Sequence, residues 1–237
     1  MNGTTKGKLW IVSTPIGNLE DITVRALRIL KEVPFILAED TRRTSNLLKK
    51  LGIENKKLIS FNVQNQNRRL HQVLSLLNTG NDMALVSDAG TPVISDPGNK
   101  LILECQKLKI DIDIAPGPSA VTSAVALSGF PGTHFVFLGF LPRGKNRRRL
   151  FRKISKGLYG EALIVFFESA LRLKESLREW LEIVEDRECF IARELTKLHQ
   201  ELIRGYISEI LESFPEQLKG EITVVVSGNA SKSAEIR

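Results

Sequence analysis

Short apolar runs alternate with helix-spaced segments through the first half of the chain. Leu9–Val12 and Met83–Val86 are wholly apolar, as expected of buried strands. Between such runs, apolar residues recur at the spacing of one helix face, for example Leu70, Val73 and Leu77. This alternation predicts a mostly parallel sheet with helices on both faces. Right-handed crossovers bring the loops that follow the strands to one edge of such a sheet, where we expect them to form a crevice.

One of these strand-to-helix loops, residues 87–98, reads SDAGTPVISDPG. Most loops of its kind have only about 2–6 residues. Gly90 and Gly98 permit backbone conformations that are closed to other residues, and Asp88 and Asp96 supply two carboxylates. The composition is also compatible with a structural turn. The length nevertheless favours a ligand-binding loop at the carboxyl edge of the sheet.

The second half of the chain also contains short apolar runs and helix-spaced segments. The segment Gly-Phe-Pro-Gly at residues 129–132 is typical of a hinge, and the runs beyond it predict a second, mixed sheet. We therefore expect an α/β fold with two α/β domains, residues 1–118 and 119–237, and an active-site cleft between them. Asp21 and Ser208 are predicted to cap helices.

Composition limits the partners and the compartment. The net charge of +7 favours a polyanionic partner. Cys105 and Cys189 lie in apolar runs and are predicted to be buried thiols, and the histidines lack metal-ligand spacing. We therefore expect no metal site. The amino terminus lacks the apolar core of a signal peptide, and no apolar run approaches the roughly 20 residues that span a bilayer. These features predict a cytoplasmic protein without a membrane segment.

Two nucleotide-binding motifs are excluded because residues that they require are missing. Residues 139–146 fit G-x-x-x-x-G-K, but Asn146 stands where a P-loop has the hydroxyl that binds magnesium. Pro142 and the basic run after it favour a surface loop instead. Residues 13–17 contain a single glycine, whereas the dinucleotide fingerprint requires G-x-G-x-x-G.

Five stretches of the chain resemble the motifs of the tetrapyrrole methylase superfamily, the class III S-adenosylmethionine-dependent methyltransferases. They are STPIGNLEDIT at 13–23, AEDTR at 38–42, SDAGTPVISDPG at 87–98, APGPSA at 115–120 and RELTK at 193–197. The set is most similar to the branch that methylates a cytidine ribose in 16S ribosomal RNA, in the decoding region of the small subunit. The resemblance implies S-adenosylmethionine as cofactor, 16S ribosomal RNA as partner and a homodimer.

The resemblance also implies a set of site residues. The implied cofactor-binding residues are Pro15, Gly17, Asp88, Ala89, Gly90, Pro92, Ser95, Pro116, Gly117, Pro118, Ser119, Ala120, Phe167, Glu168 and Ala192. A ribose hydroxyl is a poor acid, so a base would assist its methylation. Glu39, Asp40 and Asp88 are the candidates, and the sequence does not choose among them. Lys197 would either lower the pKa of the hydroxyl or pair with a carboxylate.

The densest charge cluster of the chain occupies residues 143–156. Such runs are usually solvated faces, but we favour contact with RNA phosphates. The RNA-binding candidates are Arg42, Arg43, Arg143, Lys145, Arg147, Arg148, Arg149, Arg152 and Lys153. Two alternatives remain: a porphyrin or corrin-precursor methyltransferase of the same fold, and a non-catalytic RNA-binding module. The intact SDAGTP and PGPSA stretches argue against the second.

Overall fold

The computed structural model describes residues 5–132, 134–215 and 218–228. Within it the chain divides into two compact units between Ser119 and Ala120. Each unit contains one five-stranded sheet, so two α/β units are present. The segment that carries the strand-to-helix loops forms the first unit.

The first unit alternates strand and helix, as the apolar pattern predicts. Its strands are β1 Leu9–Val12, β2 Phe35–Ala38, β3 Lys57–Ser60, β4 Met83–Val86 and β5 Ile112–Ala115. Its helices are α1 Val24–Glu32, α2 Thr41–Lys50, α3 Gln66–Asn78 and α4 Asn99–Lys107. The strand order is β3-β2-β4-β1-β5, and every pairing is parallel. All five strands therefore end at the same edge of the sheet.

Helices cover both faces of this first sheet. On one face, Leu77 of α3 and Leu101 of α4 pack in a core with Leu37 of β2. On the other face, Leu30 of α1 packs in a core with Ile36 of β2. Adjacent residues of β2 thus enter opposite cores, as the alternation of side chains along a strand requires. The prediction of a sheet buried on both faces is confirmed.

The second unit contains a mixed sheet, also as predicted. Its strands are β6 Phe135–Phe140, β7 Leu163–Ser169, β8 Glu188–Arg193, β9 Glu201–Tyr206 and β10 Glu221–Val226. Its helices are α5 Ala120–Ser128, α6 Lys145–Ser155, α7 Ala170–Ile183 and α8 Ile207–Glu212. The order is β6-β7-β10-β8-β9; β6 and β7 are parallel, and the other pairs are antiparallel.

Both predicted helix caps are wrong by two residues. Asp21 lies in a short 3-10 turn, and the hydroxyl of Thr23 accepts the amide hydrogen of Ala26 at 3.1 Å to cap α1. Helix α8 begins after Tyr206, while Ser208 donates its hydroxyl to Asp186 at 2.6 Å. In each case another polar group nearby satisfies the amides at the start of the helix.

The basic run is a helix rather than the predicted surface loop. Arg, Lys and Leu all have high helix propensity, and Gly144 adopts φ of +50° just before the first residue of α6. Phe151 and Ile154 are buried in the core of the second unit. Phe151 lies edge-on to Trp180 of α7, with ring centroids 5.2 Å apart. Burial of this face fixes the segment as a helix.

Across the described residues, none of the helices combines the length and the apolar character that a membrane span needs.

Candidate active site

Three loops of the first unit meet at the carboxyl edge of its sheet. Thr14, after β1, exchanges two backbone hydrogen bonds with Gly90, at 2.9 and 3.0 Å. The hydroxyls of Ser13 and Thr91 are 2.9 Å apart. The amide of Ser13 donates to Ala115 at 3.1 Å. The loops after β1, β4 and β5 are therefore joined directly, which confirms the convergence expected from a parallel sheet.

Two glycines allow these loops to approach closely. A Cβ atom on Gly117 would lie 3.0 Å from Cβ of Ser13. Gly90 adopts φ of +80°, and a Cβ there would lie 3.4 Å from Ile16 and 3.7 Å from the carbonyl oxygen of Pro118. Gly117 is thus packed against Ser13 more tightly than a larger residue would allow, whereas Gly90 is favoured by its positive φ.

The long loop at residues 87–98 is held in a strained conformation. Val93 and Ser95 adopt positive φ angles of 76° and 68°, which is unfavourable for a β-branched residue above all. Gly98 has φ of +138°, and a Cβ there would lie 2.8 Å from side-chain atoms of both Leu85 and Val93. Strain of this kind persists where the surroundings fix the backbone, and it occurs often at functional sites.

Asp40 and Asp88 are engaged with arginines and backbone amides. Asp40 caps α2 by accepting the amide hydrogen of Arg42 at 2.9 Å. Its other carboxylate oxygen forms an ion pair with the guanidinium of Arg42 at 2.7 Å. These hydrogen bonds with Arg42 hold the pKa of Asp40 well below its ordinary value. Asp88 accepts the amide hydrogen of Asp40 at 3.1 Å and forms an ion pair with Arg43 at 3.3 Å. Asp88 therefore ties the long loop to the start of α2.

Glu39 and Asp96, two further carboxyls at this edge, have raised pKa values. Desolvation raises the pKa of Glu39, and the negative charges of Asp96 and Asp88 raise it further. Desolvation also raises the pKa of Asp96, against a hydrogen bond with Ser87 that lowers it. The sequence prediction of site residues omits Asp96, although its place in the long loop was an available signal. This edge of the sheet thus carries two carboxylates in ion pairs, Asp40 and Asp88, and two carboxyls with raised pKa values, Glu39 and Asp96.

The predicted cofactor residues of the first unit lie on these loops. Gly17, Ala89, Ser95, Pro116 and Gly117 are exposed. Pro15, Asp88, Pro118 and Ser119 are partly buried, whereas Gly90 and Pro92 are buried. Ala120, partly buried, is the first residue of α5 in the second unit. The exposed turns offer backbone amides and carbonyls that a polar ligand can reach.

The predicted cofactor residues of the second unit lie on strands of its sheet. Phe167 lies between the rings of Phe137 and Phe140, at 4.9 and 5.4 Å between centroids. Ala192 is buried in β8. Phe167 in β7 and Ala192 in β8 stay predicted cofactor residues.

The side chain of Glu168 has a structural role that the sequence did not indicate. It is 1% exposed. One of its oxygens accepts from the amide of Ser169 at 2.8 Å and from Nε of Arg172 at 2.6 Å, and the other accepts the Ser176 hydroxyl at 2.7 Å. Both oxygens of the carboxylate are therefore already hydrogen-bonded to residues of the second unit. Glu168 stays a predicted cofactor residue through its backbone, since its side chain is engaged with Ser169, Arg172 and Ser176.

Lys197 pairs with carboxylates, which was one of its two predicted roles. Its Nζ lies 3.0 Å from both Glu194 and Glu221. Burial lowers its pKa, but hydrogen bonds to the two carboxylates outweigh burial and raise it. Lys197 therefore holds its proton, and its described contacts give it a structural role in the turn after β8.

The arginines of α6 divide into buried and exposed sets. Arg147 is 1% exposed, and its guanidinium binds Glu179 at 2.7 Å, Ser176 at 2.9 Å and Glu175 at 3.0 Å. A buried guanidinium cannot reach a phosphate, so the RNA contact predicted for Arg147 is wrong. Arg148 is partly buried, and its bond to Glu182 is 2.7 Å long.

The remaining basic residues of this segment face solvent. Arg143 precedes α6, and four exposed residues of the helix form a surface that we call the α6 basic face: Lys145, Arg149, Arg152 and Lys153. In the first unit, the side chains of Arg42 and Arg43 are 88% and 64% exposed although each pairs with an aspartate. These residues keep charge available for a polyanion.

No cluster of three or more potential metal ligands occurs among the described residues.

Comparison with known proteins identifies relatives along nearly the whole chain. The family model of tetrapyrrole (corrin/porphyrin) methylases matches residues 8–211. A protein of Thermotoga maritima is 60% identical over 223 residues, which are 94% of this chain and 99% of the relative. A protein of Hydrogenobaculum is 45% identical over 93% of this chain and 95% of the relative. Both relatives are named ribosomal RNA small subunit methyltransferase I.

Solved structures share the fold at low sequence identity. The uroporphyrin-III-C-methyltransferase of Thermus thermophilus has a TM-score of 0.62 and 20% identity, covering 94% of this chain and 92% of the other. A cobalt precorrin-4 methyltransferase has a TM-score of 0.67 and 16% identity, covering 93% of this chain and 94% of the other. These likenesses support the α/β architecture of the two units.

Proposed function

The chain belongs to the tetrapyrrole (corrin/porphyrin) methylase family, and from that membership we propose that it methylates the 2′-hydroxyl of a cytidine ribose in 16S ribosomal RNA. The observation that carries the proposal is the high identity, over nearly the whole length of both chains, to proteins named ribosomal RNA small subunit methyltransferase I. The likeness to porphyrin and corrin methyltransferases is confined to the fold, and folds host many functions.

The loops of the first unit fit S-adenosylmethionine as the methyl donor. Exposed backbone at Gly17, Pro116 and Gly117 can hydrogen-bond adenine and ribose. Desolvation, and after it the negative charge of neighbouring carboxylates, disfavours ionisation of Glu39 and Asp96, so this edge favours a ligand that brings positive charge. When bound, the cofactor supplies an electrophilic methyl group on a positively charged sulfur. The chain itself holds the ribose hydroxyl in line with that methyl, and such positioning lowers the barrier by several kcal/mol, about 7–11 in the best cases.

The surface charge fits an RNA partner. The net charge is +7, and the α6 basic face presents four cations on one exposed helix. Lysine and arginine clusters of this kind supply most of the salt-dependent affinity for a phosphate backbone. A tetrapyrrole carries carboxylates but has no extended backbone to contact such a surface. The proposed substrate is therefore the small ribosomal subunit or its RNA, with a homodimer as the expected form of the enzyme.

Transfer of a labelled methyl group tests this function. Small ribosomal subunits from cells that lack the enzyme should accept label from S-adenosylmethionine, whereas uroporphyrinogen and precorrin intermediates should accept little. Label on the ribose should block alkaline cleavage of the adjacent phosphodiester. Subunits from cells that contain the enzyme are the control and should accept no label. Label on a base, or on the tetrapyrrole alone, would refute the proposal, and RNA binding without any transfer would favour the non-catalytic alternative.

A further inference from the structure

Of the three carboxylates that the sequence offers as bases, two are occupied by partners in the structure. Asp40 caps α2 and pairs with Arg42. Asp88 accepts from the amide of Asp40 and pairs with Arg43. Both carboxylates are therefore occupied by hydrogen bonds and ion pairs within the first unit. Their contacts instead fix the long loop against the start of α2.

Glu39 is the carboxyl that these contacts leave available. It follows Ala38, the buried last residue of β2, and is itself partly exposed at the carboxyl edge of the sheet. Among the described residues, no hydrogen bond or ion pair to its carboxylate is formed. The backbone amide of its neighbour Asp40 donates to the side-chain carboxylate of Asp88 at 3.1 Å, which places Glu39 where the long loop meets the start of α2.

The charges around Glu39 favour its acceptance of a proton. Desolvation contributes most to the raised pKa of Glu39; Asp96, Asp88 and Asp40 also raise it, and Arg43 alone lowers it. A carboxylate whose pKa is moved upward toward the working pH is a better general base than an ordinary one.

We propose that Glu39 is the general base of the methyl transfer. The inference rests on the proposed function and names the residue that completes its chemistry. The ribose oxygen forms a bond to the methyl carbon, the carbon–sulfur bond breaks, and its electron pair stays on sulfur, which becomes neutral. The 2′-hydroxyl proton passes to the Glu39 carboxylate, so one positive and one negative charge disappear together. The protonated Glu39 returns its proton to water.

Asp96 is the nearest competitor for this role. It too has a raised pKa from desolvation. A side-chain hydrogen bond with Ser87 favours its charged form, and its place in the strained loop beside Ser95 suits a structural role. No hydroxyl contributes in this way to the pKa of Glu39, and Glu39 directly precedes Asp40, whose amide bonds Asp88, so we assign the role to Glu39 rather than Asp96.

A comparison of Glu39→Gln with two matched variants tests the assignment. Glu54→Gln removes an exposed carboxylate of the same unit that lies outside the site, and Asp96→Asn removes the competitor. We expect Glu39→Gln to lower the single-turnover rate by about 10²–10⁴-fold, the usual contribution of a general base. It should also abolish the rise in rate that accompanies ionisation of Glu39. Affinity for S-adenosylhomocysteine, measured by calorimetry, and affinity for RNA should not change.

Three results would overturn the assignment, and a fourth concerns the reaction itself. A Glu39→Gln enzyme that keeps the wild-type rate and pH profile excludes Glu39 as the base. A parallel loss of affinity for S-adenosylhomocysteine makes it a binding residue. Loss of the pH-dependent rise in Asp96→Asn, with Glu39→Gln unaffected, moves the role to Asp96. Failure of the wild-type enzyme to methylate small subunits refutes the proposed function, and it is measured before any variant is compared.

Discussion

At the scale of the residue, Gly90 joins the conformation of the long loop to its contacts. Its φ of +80° belongs to the left-handed region, and its backbone is paired with Thr14 in both directions. A side chain there would meet Ile16 and Pro118 at van der Waals distance. Left-handed backbone costs an L-residue about 1–2 kcal/mol. The backbone conformation at this position therefore favours glycine over any other residue.

Gly90→Val should abolish binding of S-adenosylhomocysteine because the valine strains the loop and intrudes where three loops meet. Gly52→Val is the matched control: Gly52 also has a positive φ, +65°, but a Cβ there has nothing within 4 Å. Both variants should lose similar stability, measured by urea unfolding, while calorimetry should show lost affinity only for Gly90→Val. Equal affinity in the two variants would remove the long loop from the cofactor site.

At the scale of the element, α6 has two faces with different tasks. Arg147 turns inward and binds the carboxylates of Glu175 and Glu179 in α7. Arg148 forms an ion pair with Glu182, also in α7. These ion pairs fasten α6 to α7 beside the contact of Phe151 with Trp180. The α6 basic face points to solvent, although Arg152, after Arg148, helps to lower the pKa of Glu182 in α7. The basic residues of this segment thus fall into two groups: some hold α6 against α7, and the others face solvent.

Replacing Arg149, Arg152 and Lys153 with alanine should weaken RNA binding and flatten its dependence on salt. Loss of three phosphate contacts should reduce the slope of log K against log salt by about 2, at ~0.7 per contact on single strands. Titrations of RNA at several salt concentrations measure this slope. Alanine at Lys31, Lys49 and Lys50, which are exposed in the first unit, removes equal charge and should change the slope little.

Arg147→Ala provides the contrast within the same helix. It should leave the salt slope unchanged but lower the free energy of unfolding by about 1.5–3 kcal/mol, because the charged hydrogen bonds of the buried guanidinium with Glu179 and Ser176 are lost. A reduced slope in this variant, with unchanged stability, would contradict the division of α6 into two faces.

At the scale of the whole molecule, the carboxyls with raised pKa values at the carboxyl edge of the first sheet lower the stability of the fold at neutral pH. The raised pKa values of Glu39 and Asp96 mean that the folded chain binds more protons than the unfolded chain between the ordinary and the raised values. Stability therefore falls as pH rises through that interval. The lowered pKa values of Glu182 and Glu194 act in the opposite sense, and their contribution is lost as pH falls.

Glu39→Gln should accordingly be more stable than the wild type at neutral pH, because it removes a carboxylate whose ionisation the fold disfavours. The difference should vanish at pH below the ordinary carboxyl pKa, where Glu39 is protonated in both states. Urea unfolding across the pH range measures this, with Glu54→Gln as the control that shows no such trend. A variant less stable than wild type at neutral pH would mean that Glu39 makes a stabilising contact when charged.

The sequence alone determined the architecture and the position of the site loops. Strands and helices of the first unit follow from hydrophobic periodicity, which is local, and a parallel sheet necessarily brings the loops after β1, β4 and β5 to one edge. The motif at residues 87–98 marks the central loop because its length and its glycines are visible in the sequence. The resemblance likewise identified the family before any contact was known.

Only the tertiary structure decided which charged side chains are available. Asp88 engages the amide of Asp40, 48 residues away, and so leaves Glu39 as the available carboxyl. Arg147 meets Glu179 32 residues further along the chain, which turns a predicted RNA contact into a buried ion pair. Burial of Phe151 against α7 likewise made a helix of an expected loop. Burial and pairing depend on contacts between distant residues, and no local pattern of residue types contains them.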